Sequence, residues 1–390
     1  MEGKIWLLHT STFFFFLGIS IVNPLISPLA ISLGASPLIV GSIAAVASIV
    51  ALLFKPLGGM LGDRGLQFHM MALGAILGAL AGGLYIGATL LGSLLLFAIG
   101  RAIHGFGMAL FFPSSLSTAI DLAPEGRVGE TLGWRGMMFS LGNLIGPALG
   151  GFIADARGFI AAFVLTVGLS LLAALFVLAT YSKIGKRLKK HGDKGGASYR
   201  ELLRVSFIAA STSLFFMSLA YGGLMTFLPA LYKSLGLGTS AFGLYASVMG
   251  GASLLTRVFG GREADRRGPL PVATVGLIGL IFAYIFLVLY IEPPLSYVSA
   301  ALLGASFGLA VPSLQMMALA RLPQRIRSLG SGVYTMFFDL GYLTGPVLLG
   351  YVAQLWGYRA VFPPLPAIVL LSLLAAQLPR LLKKKVEAEG

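Results

Sequence analysis

The chain has 390 residues, of which only 11% are charged and 57% are hydrophobic, and its mean hydropathy is +0.90. A soluble domain carries about 25% charged residues, so these values exclude a soluble globular protein, a disordered chain, a collagen and a coiled coil. The 28 basic and 14 acidic residues give a net charge of +14, and the absence of cysteine excludes disulfides, zinc–thiolate sites and thiol nucleophiles.

Twelve stretches are long and apolar enough to cross a membrane as helices, which takes about 20 residues each. They are 6–31, 38–60, 69–88, 92–119, 131–154, 158–181, 202–231, 240–261, 270–291, 296–319, 328–353 and 359–379. The first stretch is too long for the core of a signal peptide, so we expect it to be retained. The sequence predicts an all-α membrane protein with twelve transmembrane helices.

The basic residues indicate the orientation of these spans. The two ends and the loops on one side, counted with the adjoining span ends, hold 21 of the 28, whereas the other side, counted in the same way, holds Arg157, Lys233 and Arg359. Because cytoplasmic loops are enriched in Lys and Arg, both termini are predicted to be cytoplasmic, in a plasma (inner) membrane. Topology then explains the basic charge, and we expect no nucleic-acid partner.

The longest polar stretch divides the chain near its middle. It predicts an N-terminal six-helix bundle over 1–181, a basic cytoplasmic linker over 182–201, a C-terminal six-helix bundle over 202–380 and a cytoplasmic tail over 381–390. The simplest interpretation of the linker is a solvated loop at the lipid surface.

The two halves resemble each other in sequence. The segment 55–64 aligns with 257–266 at a shift of 202, and Gly142 and Gly146 align with Gly341 and Gly345 at a shift of 199. An ordered series at a nearly constant shift indicates two parallel repeats of six helices, a known transporter architecture with its binding site near the membrane midplane.

Two motifs carry a resemblance to a known family. The segment Gly59-Met60-Leu61-Gly62-Asp63-Arg64 follows the second span, and Arg101-Ala102-Ile103-His104-Gly105-Phe106-Gly107 lies in the fourth. Together with the repeat, they resemble the major facilitator superfamily. The resemblance implies that Asp63 accepts hydrogen bonds from the start of the eleventh span, and that Arg64 pairs with Asp121. It implies a cytoplasmic gate formed by Asp63, Arg64, Asp121, Asp265 and Arg266; a plain charged turn is the alternative.

The fifth span carries a glycine and proline motif. Its members are Gly142, Gly146, Pro147, Gly150 and Gly151. The motif resembles the antiporter signature of drug:proton exporters in the superfamily, in which small residues allow close helix contact and proline bends the helix. The alternative is a packing seam, because a related glycine and proline pattern occurs in the eleventh span.

One carboxylate lies deep inside a predicted span. Asp339 is eleven residues past Ser328, about 16 Å at 1.5 Å per residue, and its repeat counterpart is Ser140. We expect it to carry protons or bind substrate, with a static ion pair as the alternative. Arg101, about 14 Å into its span, and His104 share one helix face; binding substrate or tuning proton transfer competes with a structural role for Arg101 between helices.

The predicted cavity for substrate and protons combines these groups with polar and aromatic residues from other spans. Its members are Asp339, Arg101, His104, Asn23, Tyr334, Phe338, Tyr221 and Asn143. Asn23 belongs to an Asn-Pro pair in the first span. That span lacks the acidic residue that many proton-coupled exporters keep there.

These features predict a secondary transporter that exports a small apolar or amphipathic compound in exchange for protons by alternating access. A sugar or metabolite efflux permease, or a facilitator without proton coupling, is the alternative within transport, and a membrane sensor or scaffold is the alternative outside it. We expect no enzymatic activity, no cofactor and no metal. The expected partners are a small-molecule substrate, protons and the lipid bilayer, and the expected state is a monomer.

Overall fold

The computed structural model describes residues 3–35, 37–188, 199–237 and 239–389, and within these ranges no residue lies in a strand. The α-helices in chain order are α1 (Gly3–Val22), α2 (Ile26–Ser32), α3 (Pro37–Leu61), α4 (Gln67–Leu91), α5 (Leu94–Asp121), α6 (Val128–Leu188), α7 (Val205–Ser234), α8 (Thr239–Arg267), α9 (Pro269–Leu289), α10 (Ser296–Leu319), α11 (Gln324–Trp356) and α12 (Pro364–Glu389).

The helices and the predicted spans differ at three places. The first span consists of α1 and α2, separated by a 3₁₀ turn over Asn23–Leu25 that contains Pro24. The second and third spans, α3 and α4, are joined by the turn Gly62–Leu66, in which Gly65 has φ 80°. The fifth and sixth spans lie within α6, which breaks at Gly158 with φ 81°. Both glycines occupy backbone conformations that side chains disfavour.

Ten stretches of the described residues are long and apolar enough to cross a membrane. Two of them, Ala45–Leu91 and Val128–Ser182, each contain one of these glycine breaks. Division at Gly65 and Gly158 turns the ten stretches into twelve helical spans, as the sequence predicts.

The linker and the tail are more helical than expected. α6 continues to Leu188 and α12 to Glu389, past the predicted ends of their spans. A short 3₁₀ turn over Tyr199–Leu203 precedes α7. The rest of the predicted linker, residues 189–198, lies outside the described residues.

The chain divides into two compact units. The first holds the described residues of 1–124, 137–197 and 323–333, and the second holds those of 125–136, 198–322 and 334–390. They differ from the two predicted bundles in two segments, because the first turns of α11 belong to the first unit and those of α6 to the second.

In the first unit, α5 packs against α3 and α4. These contacts are close: a Cβ placed on Gly74 would lie 2.6 Å from the carbonyl oxygen of Gly107. The core beside them is aromatic, with the rings of Phe15 and Phe111 stacked at 3.8 Å. Small residues thus allow the helix backbones to approach closely, and aromatic rings fill the core beside these contacts.

In the second unit, α10 packs against α8 and α9, and α12 packs against α7 and α9. Buried hydroxyl pairs link these helices. Tyr232 donates to Ser296 at 2.7 Å, and the hydroxyls of Tyr245 and Ser299 are 2.9 Å apart. Inside an apolar bundle such pairs satisfy polar groups that would otherwise be costly to bury.

Candidate functional site

In the first unit, Asp63 caps the backbone of α11. Its two carboxylate oxygens accept hydrogen bonds from the backbone N–H groups of Ser328 at 2.7 Å and Leu329 at 2.8 Å. These amides lie in the second turn of α11, near the positive end of the helix dipole. The Ser328 hydroxyl lies 2.6 Å from that of Ser117, so α5 supports the same junction.

In the second unit, Asp265 makes the corresponding contact with α6. Its carboxylate accepts from the backbone N–H groups of Gly129 at 2.6 Å and Glu130 at 2.7 Å. Gly129 also allows the backbones to touch, since its Cβ would overlap the carbonyl oxygen of Gly261. An aspartate at the matched position of each repeat, Asp63 in the turn after α3 and Asp265 in the last turn of α8, thus contacts the first turns of another helix.

Asp121 is bound by a different arginine from the one that the resemblance implies. Arg327 in α11 forms the ion pair with Asp121, and Gln67 donates to the same carboxylate at 3.1 Å. Arg64 is exposed. The expected Arg64–Asp121 pair is thus replaced by a pair with α11, because the Asp63 cap brings the first turns of that helix beside the end of α5.

A second buried acid, Glu130, holds a matching cluster in the second unit. Arg127 donates to Glu130 at 2.7 Å and Arg262 at 3.1 Å, and the Trp134 indole donates at 3.3 Å. Arg266, predicted to belong to the gate, has a 79% exposed side chain that lies 3.6 Å from Glu263. It therefore stands outside this cluster.

The glycine motif forms a tight seam between α6 and α1. A Cβ on Gly142 would lie 2.7 Å from the Leu17 nitrogen, one on Gly146 would lie 2.5 Å from the Ser20 Cβ, and one on Gly150 would overlap Ile21. Nothing lies within 4 Å of a Cβ at Gly151.

The repeat carries a similar seam. Cβ atoms on Gly341 and Gly345 in α11 would overlap backbone atoms of Phe215 and Leu219 in α7. Close helix packing accounts for the spacing in both units. Pro147 lies half-buried in α6 without ending the helix.

Asn143 fastens the same seam with hydrogen bonds. Its side chain accepts from the Ser20 hydroxyl at 2.7 Å and donates to the carbonyl oxygen of Phe139 at 2.9 Å. The side-chain amide is therefore engaged in helix packing, although the residue is only half-buried.

Arg101 and His104 lie in a buried polar group of the first unit. The Arg101 Nε donates to the carbonyl oxygen of Ile43 at 3.3 Å, and the Tyr85 hydroxyl lies 2.9 Å from the His104 Nδ1. The His104 Nε2 has no hydrogen-bond partner within the described ranges. Arg101 is seven residues into α5, about 10 Å from its start, so it lies nearer the start of its helix than predicted.

Asp339 lies in the middle of α11. The helix begins at Gln324, earlier than predicted, so 15 residues precede Asp339 and 17 follow it. The side chain is half-buried. Each other acidic residue in the described part lies within four residues of a helix end or glycine break, or in a connection.

Of the remaining predicted cavity residues, two lie close together and two lie apart from them. Phe338 stacks on Tyr342 with ring centroids 6.2 Å apart, and Tyr221 meets the same Tyr342 at 5.9 Å. Tyr334 is 1% exposed, and its hydroxyl has no partner in the described part of the chain. Asn23 is exposed in the 3₁₀ turn. The structure therefore brings Tyr221 and Phe338 together around Tyr342, and leaves Asn23 on the surface.

Sequence reasoning missed several charged residues of these clusters. Three of them lie near the ends of predicted spans, where membrane orientation alone explains a charged residue: Arg327, Glu130 and Arg262. No group of three or more His, Asp or Glu side chains within the described ranges is arranged to hold a metal ion.

Comparison with known proteins identifies the family of this chain and several relatives. The family model described as Major Facilitator Superfamily matches residues 8–341 and 210–389. The multidrug resistance protein MdtG of Serratia proteamaculans (strain 568) is 27% identical over 278 residues, which cover 69% of this chain and 67% of that protein. MdtG of Escherichia coli O17:K52:H18 is 27% identical over 285 residues, covering 70% and 68%.

Solved structures share the fold at low identity. A variant of the E. coli fucose:proton symporter FucP has a TM-score of 0.79 at 15% identity, over 96% of this chain and 97% of that one. The human organic anion transporter MFSD10 (TETRAN) has a TM-score of 0.75 at 16% identity, over 97% and 100%. The prediction of an all-α membrane fold of this type is confirmed.

Proposed function

Because this chain belongs to the major facilitator superfamily, we propose that it is a secondary transporter that exports a small apolar or amphipathic compound in exchange for protons. It would act by alternating access, as a monomer in the plasma (inner) membrane with both termini cytoplasmic. The similarity to multidrug resistance proteins supports export of such a compound.

The observation that carries the proton coupling is the position of Asp339. At 1.5 Å per residue, about 22 Å of α11 precede it and about 25 Å follow it. An ionisable group at such depth is expensive in a membrane protein and marks ion and substrate pathways. Its repeat counterpart is Ser140, so the acid is particular to one half and is not inherited from the repeat.

The aspartate caps supply contacts that alternating access requires. Such a cycle needs contacts at one membrane face that form in one state and break in the other. Asp63 and Asp265 each make two charge-assisted hydrogen bonds to helix amides, and water can replace these bonds when a cap opens. We assign these caps to the cytoplasmic gate, with Asp121 and Glu130 holding the helix starts beside them.

A proton-release measurement tests the coupling. Purified protein in weak buffer would be titrated with lipophilic cations, sugars and amphipathic metabolites while the pH is followed. Substrate binding should release protons from the parent protein, and Asp339→Asn should abolish the release. Asp155→Asn removes an exposed carboxylate and is the matched control, which should release protons as the parent does.

The other outcomes identify the alternatives. Binding without a pH change, together with gradient-independent flux in liposomes, would indicate a facilitator or a metabolite permease. Unchanged release in Asp339→Asn would remove this residue from the mechanism. Ligand binding without flux in liposomes would instead favour a sensor or scaffold.

A further inference from the structure

Arg204 connects the start of α7 to the end of α10 in the second unit. It follows the 3₁₀ turn Tyr199–Leu203 and precedes Val205, the first residue of α7. Its Nη1 donates to the backbone carbonyl oxygen of Arg321 at 3.2 Å, and its Nε forms an ion pair with Glu201. These contacts hold the Arg204 guanidinium beside the end of α10, although the side chain remains 46% exposed.

Arg321 supplies a second guanidinium at this place. Its side chain is exposed, and it makes no hydrogen bond or ion pair with the described residues. The Nη2 of Arg204 likewise has no partner among them. Because Glu201 offsets only one of the two charges, the pair keeps a net positive charge and unused N–H donors. A guanidinium presents such donors in the geometry that suits phosphate oxygens.

Arg380 lies at the same end of the second unit, on α12. The hydroxyls of Ser213 and Ser372 are 2.8 Å apart, and a Cβ on Gly223 would lie 3.7 Å from the Leu365 Cδ2. The order of these two contacts shows that α7 and α12 run antiparallel. α7 begins eight residues before Ser213, and Arg380 lies eight residues after Ser372. Both therefore lie about 12 Å beyond the serine contact, in the same direction.

Exposed apolar side chains adjoin these arginines. Leu203, directly before Arg204, is 68% exposed, and Leu381, directly after Arg380, is 55% exposed. Large apolar side chains next to guanidinium groups fit the boundary between lipid acyl chains and headgroups, where each finds a suitable environment. Further exposed apolar residues follow at intervals of three or four, on one face of each helix: Val205 and Ile208 in α7, and Leu371, Leu374 and Leu378 in α12.

The first unit lacks counterparts of two of these arginines. At the shift of 199 that relates the later parts of the two halves, Arg321 aligns with Leu122 and Arg380 with Tyr181. The Tyr181 ring packs against Phe68 with centroids 5.5 Å apart. The group of arginines is thus a property of one unit and does not follow from the repeat.

We propose that this end of the second unit binds one anionic phospholipid. Arg321 and Arg204 bind the phosphate, Arg380 adds positive charge on the neighbouring helix, and the acyl chains lie along the exposed apolar faces of α7 and α12. With both termini cytoplasmic, this end meets the leaflet whose anionic lipids attract basic segments. The inference concerns a lipid and not the transported compound, so it does not depend on proton coupling.

Two lipids with the same acyl chains and different headgroups test the site. The full chain is freed of lipid in an uncharged detergent and titrated with dioctanoylphosphatidylglycerol or dioctanoylphosphatidylcholine, and native mass spectrometry counts the bound molecules. The parent protein should bind the anionic lipid about 5-fold or more tightly than the zwitterionic one. Glycerol 3-phosphate, which carries a phosphate but no acyl chain, should not displace the lipid at equal concentration.

Substitutions assign the binding to this end of the unit. Arg321→Gln should weaken binding of the anionic lipid about 5-fold and leave that of the zwitterionic lipid unchanged, whereas Arg321→Lys keeps the charge and should lose less. Arg380→Gln should act in the same direction with a smaller effect. Arg359→Gln removes an exposed arginine near the start of α12, at the other end of the unit, and should bind as the parent does.

Four results would overturn the proposal. They are equal binding of the two lipids by the parent protein, unchanged binding in Arg321→Gln, an equal loss in Arg359→Gln, and displacement by glycerol 3-phosphate, which would assign the site to a soluble phosphate compound. Size-exclusion chromatography checks folding, which Arg321→Gln should retain because the Arg321 side chain contacts no described residue through a hydrogen bond or ion pair. Anionic lipid binding that persists while substrate-induced proton release is absent would refute the coupling and leave this site standing.

Discussion

Asp121 and Arg327, 206 positions apart in the chain, form a buried ion pair in the first unit. The Asp121 side chain is 1% exposed and that of Arg327 is 14% exposed. Gln67 and Gln324 complete the set of donors to the carboxylate. The stability of a charged carboxylate this deeply enclosed depends on these donors, because water cannot reach it to replace them while the first turns of α11 stay in place.

Removal of Arg327 should therefore be costly. Arg327→Gln leaves an uncompensated buried carboxylate, and breaking such a pair costs about 3–5 kcal/mol. Arg64→Gln, which changes an exposed side chain, should cost less than about 0.5 kcal/mol. Denaturant unfolding in detergent measures both. Equal losses, or a greater loss for Arg64→Gln, would restore Arg64 as the partner of Asp121.

Each aspartate cap should protect its own amides from hydrogen exchange. Asp63→Asn removes the charge that accepts from the amides of Ser328 and Leu329, and loss of such a cap costs about 0.5–2 kcal/mol. We expect exchange in the peptide 324–333 to become about 2- to 30-fold faster, with the peptide 125–136 unchanged. Asp265→Asn should give the reverse pattern. Faster exchange in both peptides from either variant would show general loosening instead.

The glycine seam should tolerate a methyl group at one position and reject it at another. Gly146→Ala places a Cβ 2.5 Å from the Ser20 Cβ, so we expect a loss of about 1–3 kcal/mol from overpacking. Gly151→Ala adds the same methyl group to the same motif with nothing within 4 Å and should be nearly neutral. Thermal unfolding of the two variants compares them directly. A neutral Gly146→Ala would mean that α1 and α6 can separate at no cost.

The sequence predicts the spans well because hydropathy and length decide them. The twelve spans reappear once α6 and the stretch containing α3 and α4 are divided at their glycine breaks. Hydropathy cannot show that the first span is interrupted over Asn23–Leu25, because Pro24 removes a donor without changing the apolar character. It also cannot locate the start of α11, which lies in a charged segment and shifts Asp339 deeper along the helix.

Long-range partners were harder to predict than single residues. Asp63, Asp121 and Asp265 are visible in the sequence, but their partners depend on which helix start reaches them. Arg327 lies near Arg325 and Arg321 in the sequence, so the enrichment of cytoplasmic loops in basic residues already explains its charge.

The close contact between α6 and α1 also limits what the same glycine spacing indicates when it occurs in other proteins. Gly142, Gly146 and Gly150 meet α1 with no room for a side chain, and close helix contacts in membranes generally use small residues. The pattern can therefore occur whichever solute a protein moves and whichever ion drives it. The seam between α11 and α7 already repeats the pattern within this molecule. A pattern search built on these glycines therefore retrieves an interhelical distance and not a direction of transport.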